Sequence, residues 1–348
     1  MKRQKEIEYI NAHDYLTGVY NRRFFTEEFS RRINSKNVLS LGLIMLDMNG
    51  LKMLNDAFGH GVGDEALQRI ATILTSCIGE EDIAARIGGD EFAVIVPNAK
   101  ETELIKLKNK IYNLVAQEKV SGLPLTIAIG HAFRNSLNES MESLLIAAES
   151  EMYDHKVNEG KEIRNVAIDV IMDVIFQRYP KEQVHAKRVS DLSVALGLAL
   201  GLSDEMLELL DKAAYYHDIG KVSLAPEILY QPRELTEKEY AAIKAHAKNG
   251  YHILRGADRF AILAEYALSH HERWDGGGYP ANLKGDKIPL FSRIIAIADA
   301  YEAMTSARPY REKLSAAAAI AELKANSGTQ FDPHLVDLFV TAVASQKQ

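Results

Sequence analysis

A histidine followed at once by an aspartate, His217-Asp218, stands at the end of an apolar helical stretch, and few packed structures tolerate that pair. Met206, Leu207, Leu209, Leu210, Ala213 and Ala214 recur before it at helical spacing, so the pair falls where a buried helix ends. Gly220 stops that helix and Lys221 follows directly. A lone buried histidine is usually an ordinary core residue. A buried carboxylate is costly unless a cation or hydrogen bonds compensate it. A metal ion removes that cost, and the pair offers an imidazole nitrogen together with a carboxylate able to bridge two metals.

The chain is long enough for two domains with their own cores, at 348 residues and 47% hydrophobic content. A net charge of −7 argues against general nucleic-acid binding, which calls for a basic face. Cys77 is the single cysteine, which excludes an internal disulfide and fits a reducing cytoplasm. No apolar run approaches the roughly 18 residues of a membrane helix, the nearest being Val194 to Leu202. Met1 to Glu6 is charged with no apolar core behind it, so no signal peptide is read there. The expectation is a cytoplasmic protein with no membrane segment and no nucleic-acid partner.

Residues 1–13 read as a short polar helix with only Ile7, Tyr9 and Ile10 to pack, too little to stand alone. It is the end of a connecting helix from an upstream sensor module, a dimer contact, or a frayed terminus. Then comes an amphipathic helix carrying Phe24, Phe25, Phe29 and Ile33, and a buried strand from Leu39 to Asp47. A carboxylate at the carboxyl end of a strand is where α/β folds place ligands. Asn55, Asp56, Gly59, His60, Gly63 and Asp64 follow, and a helix from about Glu65 to Ile78 closes the unit. Two apolar runs, Ile83–Ile87 and Phe92–Val96, flank Gly88-Gly89-Asp90-Glu91 and predict a hairpin whose glycines take positive φ, with both carboxylates at its tip.

This segment, from about 14 to 161, resembles the GGDEF family of diguanylate cyclases. The likeness rests on Gly88-Gly89-Asp90-Glu91-Phe92, on Asp14, Leu16, Thr17 and Gly18 with Asn21-Arg22-Arg23, and on Asp47, Lys52, Asn55, Asp56, Gly59, His60, Gly63 and Asp64. It implies an α/β fold with a central antiparallel sheet, similar to polymerase palm and adenylate cyclase domains. By the resemblance, Asp47, Asp90 and the Met48 carbonyl would hold Mg²⁺ or Mn²⁺ on GTP phosphates, and hard oxygen ligands suit such ions. Glu91 would help deprotonate the attacking 3′-hydroxyl. Asn55 and Asp64 would read guanine, and Lys52, Lys156 and Lys161 would neutralise phosphate. A homodimer is implied, each protomer holding one GTP. Three departures stand out. Asn49-Gly50-Leu51 replaces the commoner Asp-Phe-Phe, and Lys161 stands one position late for the usual distal Arg. Gly79-Glu80-Glu81-Asp82 lacks the Arg of the product-inhibition motif, so feedback by that route is expected to be absent.

A helix from Met141 to Val157 is expected to end at Asn158-Glu159-Gly160 and mark a boundary, giving a 14–161 and a 162–348 domain. Helical periodicity then covers Ile163–Gln177, Glu182–Leu200, Asp204–Tyr216, Glu237–Leu254 and Phe260–His270, which predicts an all-α domain. His185, His217, Asp218, His246, His270, His271 and Asp299 lie in separate helical segments, and together they fit a dinuclear hydrolase. This half resembles the HD-GYP phosphodiesterases, a subset of the HD superfamily that degrades cyclic di-GMP. The match includes His217 to Lys221, His270 to Pro280 (HHERWDGGGYP), Leu283-Lys284-Gly285, Ala307-Arg308-Pro309-Tyr310 and Gln330-Phe331-Asp332-Pro333.

By that resemblance His185, His217, Asp218 and Asp299 would hold one metal, and Asp218 would bridge to a second held by His246, His270 and His271. Imidazole-rich sites suit iron or manganese better than magnesium. Lys221 would contact the scissile phosphate, Arg308 and Lys313 the other phosphate, and Tyr279 would shape the cleft. A three-metal variant carries a Glu one turn before the first His. Here Lys181 takes that place and Glu182 is read as turned about 100° away, so two metals are expected. The resulting expectation is a bifunctional cyclic di-GMP enzyme; the alternative is a phosphodiesterase whose GGDEF half only binds GTP and regulates.

Overall fold

The computed structural model describes residues 9–134, 139–229, 233, 235–306 and 313–345. They form two compact units, Met1–Ala167 and Ile168–Gln348. No described helix is long and apolar enough to cross a membrane.

The first unit is a five-stranded sheet in the order β1 (Tyr20–Asn21), β3 (Ile83–Arg86), β4 (Glu91–Pro97), β2 (Leu41–Met48) and β5 (Ile127–Arg134). It is antiparallel except for the parallel β1–β3 pair. Strand β2 lies between two neighbouring strands and is buried along its whole length. Leu41, Leu43 and Met45 face a core shared with Phe25, Phe29, Leu144, Ala148 and Met152. Strand alternation puts Asp47 next on the same face. Register pairs Asp47 with Glu91 on β4 and Met45 with Gly130 on β5. A Cβ at Gly130 would run into the backbone of Ala148 and Met152, so glycine there lets the helix Met141–Arg178 lie directly on the strand. One turn beyond Met152, that helix brings Lys156 over Asp47.

Several sequence expectations are corrected here. Gly88 and Gly89 are absent from the positive-φ residues. A Cβ at Gly88 would meet the Glu91 carboxylate, the end of a side chain that can turn aside. Arg86 closes the same turn through the Gly89 carbonyl at 2.6 Å and Asp14 at 3.2 Å. Asn55 lies within a helix, Leu51–Phe58, and Asp64 in the first turns of another, His60–Cys77. Gly59, at φ +86°, makes the break between them, and the second helix begins at His60 rather than at about Glu65.

Gly160 does not end a helix: Met141–Arg178 is continuous across it. An interior glycine costs only about 1 kcal/mol, and buried Ala167, Ile168, Ile171, Met172 and Ile175 anchor the downstream turns.

The second unit is helical, with Pro180–Ala199, Asp204–Tyr216, Glu237–Arg255, Leu290–Thr305, Ala316–Ala325 and Pro333–Ser345 as its main elements. The stretch read as one helix from Phe260 divides into a 3₁₀ turn, Ala261–Leu263, and a short helix, Ala264–Ser269. Ser203 caps the Asp204–Tyr216 helix, and Thr236 with Glu239 forms a capping box on Glu237–Arg255. The 3₁₀ turn Ile219–Ser223 lies so close to Glu237–Arg255 that a Cβ at Gly220 would meet the backbone of His246 and Gly250.

Candidate functional site

Five helical elements converge in the second unit. His185 comes from the second turn of Pro180–Ala199, and His217 and Asp218 from the end of Asp204–Tyr216. His246 comes from Glu237–Arg255, His270 and His271 from the end of Ala264–Ser269, and Asp299 from Leu290–Thr305. His217, His246 and His270 are each almost wholly buried. At the ends of their helices His217 and His270 find main-chain carbonyls left free. Nδ1 of His217 donates to Ala214 O at 2.6 Å and that of His270 to Ala267 O at 2.7 Å. His246 Nδ1 donates to Ile243 O at 2.6 Å. Each imidazole therefore keeps its Nε2 lone pair for the interior.

The Asp218 carboxylate lies at the middle. Its Oδ2 faces His217 Nε2 at 3.1 Å and His185 Nε2 at 3.6 Å, whereas Oδ1 faces His246 Nε2 at 3.2 Å and His270 Nε2 at 3.7 Å. Asp299 Oδ1 stands 3.4 Å from His185 Nε2. Among the described residues three groupings could hold a metal ion: Asp218 with His246, His270 and His271; His185 with His217 and Asp299; and Glu182 with His185 and Asp218. The donor set fits that use. Buried Nε2 atoms of His185 and His217 have no hydrogen-bond partner. The Nε2 atoms of His246 and His270 face each other at 3.3 Å although both Nδ1 atoms already carry the proton. Two opposed lone pairs repel, and a cation between them relieves it.

Burial disfavours charge at His270 and holds its pKa well below the ordinary value, and burial with His246 brings His271 down to about 3. Burial works the other way on Asp218, but His217 and Lys221 outweigh it and keep the carboxylate ionised. His185 differs from the rest. Burial opposes its charge, yet Asp218, Glu302 and Asp299 raise it to about 10. The same excess of carboxylate attracts a metal cation.

Glu182 overturns one expectation. Residues three apart share a helix face, and its carboxylate reaches the group formed by His185 and Asp218 instead of turning away. Lys221 Nζ sits between those acids, 2.6 Å from Asp218 Oδ2 and 2.8 Å from Glu182 Oε2. Burial opposes the ammonium charge, and the two carboxylates more than restore it.

Two further residues escaped the sequence reading. Glu302, buried one turn after Asp299, accepts from His185 Nδ1 at 2.6 Å and orients that ring. The Asp-x-x-Glu spacing on an apolar helix was its available signal. Glu272, also buried, accepts from the amides of Ala281 at 2.7 Å and Leu283 at 2.9 Å, and so folds the glycine-rich loop back over the site. That fold seats Tyr279 against His271, ring centroids 4.9 Å apart. Lys313 is exposed, and Arg308 lies outside the described residues. Because partners behind a metal-binding imidazole typically tune affinity by roughly 10- to 100-fold, Glu302→Gln is expected to weaken divalent-metal binding by that factor. Competition against a fluorescent chelator measures it, and unchanged affinity would reduce Glu302 to a packing residue.

In the first unit Lys156 Nζ lies 2.8 Å from the Asp47 carboxylate. The Met48 amide donates to the Asp90 carbonyl at 2.9 Å, locking the strand end to the hairpin tip. Burial and Asp90 still raise the pKa of Asp47 against the pull of Lys156, and burial with Asp47 and Asp90 raises Glu91. One lysine undercompensates three carboxylates, which suits a hard divalent cation. Asn55 packs beside Gly63, where a Cβ would meet its side-chain oxygen, and so sits next to the residue before Asp64. Lys52 and Asp64 are exposed; the Lys161 side chain lies outside the described residues.

The architecture is thus an α/β domain with an acidic strand-end cluster, followed by a helical domain with a histidine–aspartate centre. Residues 11–162 match the diguanylate cyclase GGDEF domain model, and residues 169–335 match an HD domain model. The chain thus joins a GGDEF domain to an HD domain. It is similar to the cyclic di-GMP phosphodiesterase response regulator RpfG of Xanthomonas campestris pv. campestris, 37% identical over 60% of this chain and 54% of that one. A cyclic di-GMP phosphodiesterase of Thermotoga maritima is 32% identical over 60% of this chain and 57% of its own length. The 3′3′-cGAMP-specific phosphodiesterase 1 of Vibrio cholerae is 44% identical over 38% of this chain and 30% of its own length. The chain spans about half the length of the first two relatives.

Proposed function

We propose that the chain turns over cyclic di-GMP in the cytoplasm, its HD half (162–348) opening the ring to linear pGpG and onward to GMP. The supporting observation is the division of Asp218, one oxygen toward His185 and His217 and the other toward His246 and His270. That is the arrangement of a carboxylate shared by two cations. His185, His217 and Asp299 would hold one of them, and His246, His270 and His271 the other. Two bound first-row ions, iron or manganese, would supply Lewis-acid polarisation of the phosphate and a nucleophile available at neutral pH. The Lys221 ammonium would stabilise charge on the phosphate oxygens. Because it already neutralises Asp218 and Glu182, a third ion has no need of that corner. Tyr279 would form a wall of the cleft.

The GGDEF half (14–161) would condense two GTP molecules as a homodimer. Asp47, Asp90 and the Met48 carbonyl would take Mg²⁺, and Glu91 would draw the proton from the 3′-hydroxyl. Asn55 and Asp64 would recognise guanine, and Lys52, Lys156 and Lys161 the phosphates. One observation favours a second reading, in which this half binds GTP and regulates hydrolysis. Asn49, where a carboxylate is commoner, is buried with neither end of its amide hydrogen-bonded. For the HD half, the relative named for 3′3′-cGAMP favours testing that dinucleotide as a competitor.

Chromatography of nucleotides tests both halves. The chain with Mn²⁺ and cyclic di-GMP is expected to yield pGpG, and intact substrate would sink the phosphodiesterase reading. With GTP and Mg²⁺, an Asp218→Ala variant should accumulate cyclic di-GMP, and adding Asp90→Ala with Glu91→Ala should end that synthesis. GTP that stays whole yet speeds hydrolysis in the unaltered chain would favour the regulatory reading.

A further inference from the structure

A line of rings and one ammonium leads outward from the histidine–aspartate centre. His271 belongs to the metal-binding group, and the Tyr279 ring lies against it at 4.9 Å with planes 31° apart. Lys244, two residues before His246 on the same helix, holds its Nζ 5.8 Å from the Tyr279 ring centroid and 4.7 Å from that of Tyr240. Tyr240 is 52% exposed, so its ring is open to solvent beside the ammonium. Among the described residues Lys244 has rings as its neighbours and no carboxylate within ion-pair distance. A cation held by π faces and left without an anion, next to an open aromatic face, matches a ligand that carries a flat base and a phosphate side by side.

The geometry points to Tyr240 and Lys244 as a nucleotide platform at the mouth of this site: the Tyr240 ring stacks one guanine, and Lys244 pairs with the phosphate that is not being cleaved. This inference rests on the phosphodiesterase reading and deepens it. A cyclic dinucleotide has two phosphates and two bases; the metal-binding centre accounts for one phosphate, and the platform receives a neighbouring base and the other phosphate. Tyr240 and Lys244 are then specificity determinants that act on binding rather than on the bond-breaking step.

Steady-state kinetics on the metal-loaded full chain tests this. Tyr240→Ala should raise KM for cyclic di-GMP roughly tenfold or more, the scale of one lost base stack, with kcat changing far less. Tyr240→Phe should keep the unaltered KM, because the ring and not the hydroxyl is used. Lys244→Gln should also raise KM and should weaken its dependence on salt. Methyl 4-nitrophenyl phosphate, a diester with one phosphate and no nucleobase, serves as the second substrate. Equal losses on both substrates, or an unchanged KM in Tyr240→Ala, overturn the platform. Failure of the underlying phosphodiesterase reading looks different: the unaltered chain would cleave the small diester and leave cyclic di-GMP whole, which overturns both.

Discussion

Asp218→Asn is expected to cut phosphodiester hydrolysis on the order of a thousandfold or more, because Lewis-acid stabilisation is worth several kcal/mol and each 1.4 kcal/mol is a factor of ten. The substitution keeps the shape of the side chain and removes the charge that four imidazoles share. An amide offers one oxygen and one NH₂, so it can serve one imidazole pair and must turn a donor toward the other. It also leaves the Lys221 ammonium with Glu182 alone. Metal content measured beside kcat should therefore fall together with activity. Near-normal hydrolysis with full metal content would mean that Asp218 is not shared between cations.

The second large effect is expected from a residue with no chemistry. Gly220→Ala places a methyl group against the His246 carbonyl and the Gly250 amide, and neither obstacle is a side chain that can turn aside. Overpacking of this kind costs about 1–3 kcal/mol, and relief requires the Ile219–Ser223 turn to back away from the helix that carries His246. Asp218 immediately precedes that turn and Lys221 lies within it, so the 3.2 Å approach of Asp218 to His246 opens with it. Misplacement by about 1 Å is enough to cost on the order of a hundredfold in rate. The melting temperature should drop by roughly 2–4 °C for each kcal/mol lost. Gly250→Ala is the control, because a Cβ there stays 3.4 Å from its nearest neighbour, an ordinary contact. If Gly220→Ala and Gly250→Ala behave alike, the close approach does not set the geometry of the centre.

Much of this was legible in the sequence, for identifiable reasons. His217-Asp218 could be read because a carboxylate on an apolar face needs a partner. The helices around it could be read because apolar residues recur at their period. The Asp204–Tyr216 helix runs as its periodicity indicates. What escaped belongs to tertiary contact. Glu302 is one acid among many until His185 is seen 2.6 Å away. Glu182 was judged by counting a full turn of four, whereas a step of three also returns to the same face. Gly160 reads as a stop because glycine often ends helices, but buried residues on its far side keep the turns wound. Gly88 reads as a positive-φ requirement, yet its backbone does not take positive φ.

The manner in which the imidazoles are held has a bearing on how this centre withstands mutation. Main-chain carbonyls at Ala214, Ile243 and Ala267 aim His217, His246 and His270, and no change of side chain at those positions removes a carbonyl. The orientation of these three imidazoles is thus written in the helical backbone and survives drift in the surrounding sequence. His185 is aimed by the carboxylate of Glu302, which a single codon change deletes. In descendants of this chain the half of the centre built on His185 is the one that evolution can weaken, retune or silence in one step, while the half built on His246 and His270 keeps its aim.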